Sequence, residues 1–276
     1  MPPFPNLVSD SILINETIRL LSRNGGNATA TQIVDRVMRI RKPDPHLAQM
    51  LAADLVERDS RLMMIGDKVS LAGQDVDALS LKTATFVVLD LETTGAKAPP
   101  CRITEIGAYT VKNKELAGEF HSLIDPEVPI PEFITALTGI SNEMVRGAPR
   151  FREVVNSLLD FIGDSIIVAH NSHFDLGFLN HEIGKVFEDY RLGNPSLCTV
   201  KLSRRLLPNI ANHKLNTVAG HYHIDLINHH RAVDDARATA HIFVNFLTEM
   251  EALGISHLAD VIKFTRQKPK PKVRSK

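Results

Sequence analysis

The chain has 276 residues, of which 43% are hydrophobic and 23% are charged, and its formal net charge is zero. This length allows one large domain or two modest ones with a proper core. The balanced charge excludes an overall positive field that would attract a polyanion, so any contact with nucleic acid must depend on local arrangement. No apolar run approaches the roughly 20 residues that cross a bilayer, the N-terminal residues lack the pattern of a signal peptide, and the two distant cysteines fit a reducing compartment. The composition therefore predicts a cytoplasmic protein with no membrane contact.

Residues 1–80 are predicted to form a small, mainly helical domain. An apolar stripe of helical spacing stops at Gly25, a capping-box pattern at Thr29 opens a second helix, and Pro45 stands in the first turn of a third. Two short apolar runs flank a turn at Gly66, which indicates a hairpin. Three helices followed by a hairpin resemble a winged helix-turn-helix domain in element order alone. Because the basic and acidic residues of this segment are nearly balanced, a helical cap for protein contacts is the alternative to DNA binding.

Residues 81–255 alternate between strand-like and helix-like segments. A buried strand at 85–90 ends in a carboxylate, two further strands follow between residues 103 and 124, and an apolar strand lies at 165–169. Segments of helical spacing separate these strands and end in a long helix at 233–253. Such alternation predicts an α/β layer fold.

Residues 256–276 are predicted to be a basic, disordered tail, because no acid follows Asp260 and prolines separate the cations. A solubilising tail and an electrostatic arm for nucleic acid are both compatible with this composition. The cations of the tail are Lys263, Arg266, Lys268, Lys270, Lys272, Arg274 and Lys276. Another basic stretch favours a solvated face over a groove for a nucleic-acid strand; it contains Lys201, Arg204, Arg205 and Lys214.

Two carboxylates close the first buried strand of the α/β region. Asp90 and Glu92 are two residues apart, so on a strand they project to the same side. Two carboxylates side by side at the end of a sheet repel each other unless a cation lies between them. Hard cations such as Mg²⁺ take oxygen ligands. The pair therefore indicates a divalent metal site, although this pattern alone is weak.

Two further elements place acids where strands and helices meet. Asp175 follows an apolar strand in the first turn of a helix, where it could also merely complement the helix dipole. His230 precedes Asp235, which begins the last long helix, and a lone pair of this kind is usually a surface turn with a helix cap. The three elements occur together and in order, each beside a strand or helix end, which favours one shared site.

The three elements resemble the exonuclease motifs of the DEDDh superfamily. They read D-L-E-T-T-G at 90–95, H-N-S-H-F-D at 170–175 and H-R-A-V-D-D-A at 230–236. The relatives most similar by motif are the bacterial DNA polymerase III epsilon proofreading subunits and polymerase-associated exonuclease domains. Supporting similarity lies at 103–108 and 137–140. The third motif also allows the register of His229 with Asp234, but the family pattern of Arg-Ala after the histidine and Ala after the acid selects His230 with Asp235.

The resemblance implies a ribonuclease H-like fold with a mixed five-stranded sheet flanked by helices. It also implies two Mg²⁺ or Mn²⁺ ions held by Asp90, Glu92, Asp175 and Asp235, with His230 as general base. The implied reaction releases nucleoside 5′-monophosphates from single-stranded or frayed 3′ ends of DNA during proofreading or repair, and a DNA polymerase or repair complex is the implied partner. The residues expected to bind substrate are Thr93, Thr94, Gly95, Leu137, Thr138, Ile140, Asn171 and Phe174.

Several of these residues and motifs also allow another interpretation. Leu137 and Ile140 could simply pack a helix end, and Phe174 could pack its helix onto the sheet. The same motifs serve exonucleases that trim RNA, and motifs do not report how a 2′-hydroxyl is read. A replication or repair adaptor with an inactive exonuclease fold would lack one of the acids, and all four acids and the histidine are present.

Overall fold

The computed structural model of the chain describes residues 2–72, 78–227 and 229–267. It falls into two compact units. The first contains the described residues of Met1–Gln74 together with Ile183–Gly193, and the second contains those of Asp75–Glu182 and Asn194–Lys276. The sequence pattern did not predict that Ile183–Gly193 joins the first unit. The physical reason is a strand pairing, Leu7 opposite Leu192, between segments far apart in the chain.

The first unit contains three helices followed by a hairpin, in the order expected from the sequence, together with three short strands that were not predicted. Its elements are β1 (Leu7–Ser9), α1 (Ile12–Arg23), β2 (Asn27–Thr29), α2 (Ala30–Arg36), α3 (Pro45–Glu57), β3 (Leu62–Ile65), β4 (Lys68–Leu71) and β9 (Tyr190–Leu192). Its sheet has the order β2-β4-β3 with antiparallel pairing, and a separate antiparallel pair joins β1 to β9. The capping box predicted at Thr29 is present, because the Thr29 hydroxyl accepts from the Gln32 amide and the Gln32 side chain accepts from the Thr29 amide.

The second unit is built on the predicted five-stranded mixed sheet. The strands are β5 (Phe86–Thr93), β6 (Ile103–Lys112), β7 (Glu115–Leu123), β8 (Ile166–Ala169) and β10 (Ser196–Cys198). Their order in the sheet is β10-β8-β5-β6-β7; β5, β6 and β7 pair antiparallel, whereas β8 and β10 extend the sheet in parallel. The helices are α4 (Glu132–Thr138), α5 (Asn142–Val145), α6 (Phe151–Ile162), α7 (Ser172–Val186), α8 (Thr199–Leu206), α9 (Leu215–His221), α10 (Ala232–Ala252) and α11 (Leu258–Arg266).

One face of β5 changes along its length from apolar core to acidic site. Phe86 and Val88 are fully buried, and the Phe86 ring meets that of Phe243 on α10 edge to face, with 4.9 Å between centroids. Side chains alternate between the two faces of a strand, so the next two positions on this face are Asp90 and Glu92. The apolar half of the face fixes α10 against the sheet, and the polar half therefore points at the start of the same helix.

The predicted disorder of residues 256–276 is wrong for the first part of that segment. Leu258–Arg266 forms α11, and its Leu258 and Val261 are fully buried in the core of the second unit. Leu258 and Val261 are three residues apart, a helical stripe that the basic composition concealed. Residues 268–276, which carry the remaining cations of the predicted tail, lie outside the described residues. In the described part of the chain, no helix combines the length and apolarity that crossing a lipid bilayer requires.

Candidate active site

A cleft of about 450 Å³ opens at the end of β5 where Asp90 and Glu92 project. All five residues predicted to carry the chemistry line it. Of the predicted substrate-binding residues, those that line it are Thr93, Gly95, Leu137, Thr138, Asn171 and Phe174. Other lining side chains were not predicted from the motifs, among them Phe133, His170, Leu215 and His229. A single cavity thus collects the three sequence motifs.

Thr94 and Ile140 do not line the cleft, contrary to their predicted role in substrate contact. Thr94 is buried, and its hydroxyl accepts a hydrogen bond from the Arg102 amide at 3.0 Å. Ile140 is fully buried, and its amide donates to the Thr138 hydroxyl at 3.1 Å. Both residues hold their loops in place behind neighbours that do face the cleft. Their motifs were informative, but the burial of a side chain depends on tertiary contacts that a motif does not report.

Asp175 lies in the first turn of α7 and is almost completely buried. Its carboxylate accepts a hydrogen bond from the Leu91 amide on β5. That bond links the start of α7 to the strand segment between Asp90 and Glu92. The acid of the second motif is therefore fixed beside the two acids of the first.

Asp235 is the buried acid of the third motif. One of its carboxylate oxygens accepts from the His230 amide at 3.1 Å, and the other lies 3.0 Å from the His229 Nδ1. The two imidazole rings stack with 4.0 Å between their centroids. Asp234, by contrast, bonds to Arg237 on the same helix at 3.1 Å. This placement favours the predicted register of His230 with Asp235. It also adds His229 to the residues of the site, although the sequence pattern had indicated only a neighbouring residue there.

The carboxylates repel one another. Ligand oxygens of Asp90, Glu92 and Asp235 all lie within 4.8 Å of one another. Burial, and after it the charge of the neighbouring acids, raises the pKa of Glu92 to about 8 and holds the pKa of Asp90 well above its usual range. Burial also raises the pKa of Asp175 to about 7. Asp175 and Asp235 are buried and Asp90 and Glu92 are half-buried, so acids at this spacing are unfavourable without a cation. A set of carboxylate oxygens suits a hard divalent ion, and these residues therefore fit a metal site.

Glu105 on β6 fixes the start of α10. It stands opposite Glu92 in the strand register and is fully buried. Its carboxylate accepts from the Arg231 guanidinium at 2.7 Å, from the Ala232 amide at 2.9 Å and shares a hydrogen bond with His121 at 2.8 Å. Burial alone would raise the pKa of Glu105, but these hydrogen bonds lower it below its usual value. Glu105 is therefore a charged, fully bonded anchor for the turn that carries His230.

His170 forms part of the cleft wall and is neutral. Its Nε2 lies 3.1 Å from the His213 carbonyl oxygen, which can only accept, so Nε2 carries the proton. Its Nδ1 lies 2.9 Å from the Thr199 hydroxyl, the first residue of α8. Burial lowers the pKa of His170 to about 4. With both nitrogens engaged, this histidine orients the wall and leaves the role of proton acceptor to other groups.

The fold and the acidic cleft define the class of this protein as a ribonuclease H-like exonuclease domain. The chain belongs to the exonuclease family, since residues 87–243 match the family model RNase_T, described as Exonuclease. The resemblance predicted from the motifs is thereby confirmed.

Relatives and solved structures agree with this membership. The chain is 38% identical over 198 residues to the "DNA polymerase III PolC-type" of Caldanaerobacter subterraneus subsp. tengcongensis, a match that covers 72% of this chain and 14% of the polymerase. The chain thus spans only a small part of the length of such relatives.

A structure of "Exonuclease X in complex with 5' overhanging duplex DNA" superposes with a TM-score of 0.53 at 24% identity, covering 65% of this chain and 99% of that one. A structure described as "3'-end specific recognition of histone mRNA stem-loop by 3'-exonuclease" gives a TM-score of 0.51 at 20% identity, covering 63% and 84%. Because both structures are less than 25% identical to this chain, the likeness shows only that they share its fold.

Proposed function

We propose that the chain is a metal-dependent 3′→5′ exonuclease that releases nucleoside 5′-monophosphates from the 3′ ends of DNA. The observation that carries the proposal is the convergence of four carboxylates from three separate motifs in one cleft, with His230 beside them. Asp90, Glu92, Asp175 and Asp235 would hold two divalent ions, Mg²⁺ or Mn²⁺. When bound, such a pair of ions lowers the pKa of a coordinated water and stabilises the charge on the leaving oxygen.

His230 is the proposed acceptor of the proton that the attacking water loses. Burial, and after it the neighbouring His229, lowers the pKa of His230 from its usual value, so the ring is neutral near neutral pH. A neutral imidazole can accept a proton, and a general base of this kind contributes about 10²–10⁴-fold to a rate. His229 has the different task of holding the Asp235 carboxylate through its Nδ1.

The apolar part of the cleft suits the terminal base. Phe133 and Leu137 on α4 are 68% and 51% exposed, although both line the cavity. Exposed aromatic and aliphatic side chains provide a surface on which any base can stack. Thr93, Gly95 and Asn171 add hydrogen-bonding groups on the side of the acids. The remaining residues proposed to contact the terminal nucleotide are Thr138 and Phe174, with Thr94 and Ile140 acting behind them.

DNA is the proposed substrate because the relatives are DNA polymerases and the Exonuclease X structure holds duplex DNA. We extend the proposal to single-stranded or frayed 3′ ends, to a role in proofreading or repair beside a DNA polymerase or repair complex, and to the cytoplasm as the compartment. Trimming of RNA is the second candidate, favoured by the shared fold with an exonuclease whose structure concerns a histone mRNA stem-loop.

Digestion of oligonucleotides labelled at the 5′ end tests the proposal. With Mg²⁺ or Mn²⁺, the full chain should shorten the labelled strand stepwise and release nucleoside 5′-monophosphates, and both chelation of the metal and Asp90→Ala should abolish this. Parallel DNA and RNA strands of one sequence identify the substrate. Cleavage that persists in excess chelator, or full activity of Asp90→Ala, would contradict the mechanism.

A further inference from the structure

Two basic stretches that are far apart in sequence lie together in the second unit. α11 packs beside α8, and the Arg205 guanidinium lies over the Phe264 ring at 4.9 Å from its centroid. Arg205 also donates to the Gln267 side chain at 3.4 Å. The two helices carry five cations and a single acid, Asp260. The cations are Lys201, Arg204, Arg205, Lys263 and Arg266, and we call them the α8–α11 basic surface.

Four of these cations face solvent without an acidic partner. Lys201, Arg204, Lys263 and Arg266 are exposed, and none of them forms an ion pair within the part of the chain that the structure describes. Elsewhere in the second unit, five basic side chains form ion pairs with acids. The pairs are Arg102–Glu182, Lys114–Glu251, Arg150–Glu127, Arg231–Glu105 and Arg237–Asp234. In a chain of zero net charge, this surface is a local concentration of positive charge.

The helix α8, which carries three of the five cations, begins beside the wall of the cleft. Thr199, the first residue of α8, shares a hydrogen bond with His170, which lines the cleft. A helix rises about 1.5 Å per residue, so Lys201 and Arg204 follow within roughly 3–8 Å along the axis. Residues three apart lie on the same side of a helix, as do Lys201 with Arg204 and Lys263 with Arg266. Positive charge thus continues from the cleft wall along two packed helices.

We propose that the α8–α11 basic surface binds the phosphate backbone of the nucleic-acid strand whose 3′ end lies in the cleft. This proposal rests on the proposed function, because it takes the 3′ end of the strand to lie in the cleft. Exposed cations without partners are the groups that replace counterions on a polyanion. The surface is the binding site for the body of the strand, whereas the cleft accepts its terminal nucleotide. The surface contacts charged phosphates and no base edges, so its binding does not depend on the base sequence of the strand.

Charge removal from this surface, matched to equal charge removal elsewhere, tests the proposal. Arg204→Gln with Lys263→Gln is compared with Lys112→Gln and Arg152→Gln, two exposed cations on β6 and α6. Binding of fluorescent dT20 and rU20 to the full chain is measured in chelator over a range of salt concentrations. The first pair should weaken binding several-fold and flatten the slope of log affinity against log salt by about 1.4, since each phosphate contact on a single strand contributes roughly 0.7. The second pair should leave both quantities near wild type. The DNA and RNA arms identify which strand is bound.

Hydrolysis of the p-nitrophenyl ester of thymidine 5′-monophosphate separates this proposal from the proposed function. The ester fits the cleft but has no strand to lie on the basic surface, so both pairs of substitutions should hydrolyse it at the wild-type rate. If the wild-type chain hydrolyses neither ester nor oligonucleotide, the proposed function fails, while the salt slopes still decide the role of the surface. Equal slopes in all proteins, loss of ester hydrolysis in the first pair, or binding to phosphatidylserine vesicles with no binding of either oligonucleotide would overturn the proposal.

Discussion

Gly107 stands opposite Asp90 in the strand register, and a Cβ added to it would clash with the backbone of Ala232. The strand beside the first acid is therefore in direct backbone contact with the start of α10. Directly opposite residues of an antiparallel pair face the same side. The absent side chain of Gly107 allows the third motif to approach the first.

Gly107→Ala should displace the first turn of α10 and lower both stability and exonuclease turnover. Inserting a methyl group into a packed contact typically costs about 1–3 kcal/mol. Urea denaturation and oligonucleotide digestion measure the two effects. Gly118→Ala on β7 is the matched control, because the nearest atom to its added Cβ is at 3.6 Å, an ordinary contact. Equal stability of the two variants would contradict the close packing at Gly107.

Glu105→Gln should reduce turnover although Glu105 does not line the cleft. The amide keeps the shape of the carboxylate but removes its charge and replaces one of its two acceptor oxygens with a donor, which would face the Arg231 guanidinium or the Ala232 amide. Because Arg231 adjoins His230, we expect kcat to fall more than KM rises. A double-mutant cycle with Arg231→Gln, read by urea denaturation, should give a coupling energy of about 0.5–3 kcal/mol. Additive effects of the two substitutions would show that the pair does not act as a unit.

Glu92→Gln should stabilise the metal-free protein near neutral pH. The pKa of Glu92 is about 8 in the folded chain against 4.5 ordinarily. A raised folded pKa contributes stability that is fully present below the ordinary pKa and is lost as pH rises through the folded pKa. The melting temperature of the wild type in chelator should therefore fall between about pH 4.5 and 8 relative to that of the variant. Each kcal/mol that the substitution relieves, from burial of the charge first and from repulsion by the other acids second, should correspond to roughly 2–4 °C.

Metal addition gives the complementary measurement for Glu92→Gln. Mn²⁺ should raise the melting temperature of the wild type and raise that of the variant less, since a ligand stabilises only the state that binds it. Glu115→Gln removes an exposed carboxylate at the start of β7 and serves as the control. An identical response of wild type and Glu92→Gln to Mn²⁺ would exclude Glu92 as a ligand.

His230→Ala and His229→Ala should differ in their pH profiles. Loss of a general base lowers turnover by about 10²–10⁴-fold. The decrease in activity toward low pH, which is caused by protonation of that base, should be absent from His230→Ala. Because the pKa of His230 is lowered, that fall in the wild type should lie below pH 6.5. His229→Ala should retain the acid-side fall while weakening metal binding through Asp235. If the acid-side fall disappears with His229 instead, the assignment of the base is reversed.

The convergence of the four acids in one cleft was predictable from the sequence, because each acid stands in a local pattern at the end of a strand or the start of a helix. Asp90 and Glu92 share a face through the two-residue period of a strand, and the burial of Asp235 agrees with the register that the family pattern selected over Asp234. The mixed sheet followed from the resemblance, since strand order depends on contacts that local pattern does not encode.

Other features depended on tertiary contacts and could not be predicted. The role of Glu105 had a signal, an acid within an apolar strand, but its partners Arg231 and His121 are distant in sequence. The burial of Thr94 and Ile140 and the helix Leu258–Arg266 likewise depend on what packs against them.

The pairing of β1 with β9 makes the chain pass from the first unit to the second, back to the first at Ile183–Gly193, and into the second again. The two units are therefore not consecutive segments of the chain, and cleavage of a single peptide bond cannot separate them. Cutting before residue 81 would leave β9 without its partner strand, shortly after the end of α7, the helix that carries Asp175 in its first turn. A shortened exonuclease domain prepared in this way would carry an orphan strand and an exposed apolar edge, so loss of activity after such a truncation would report damage to the catalytic domain as readily as a function of the first unit.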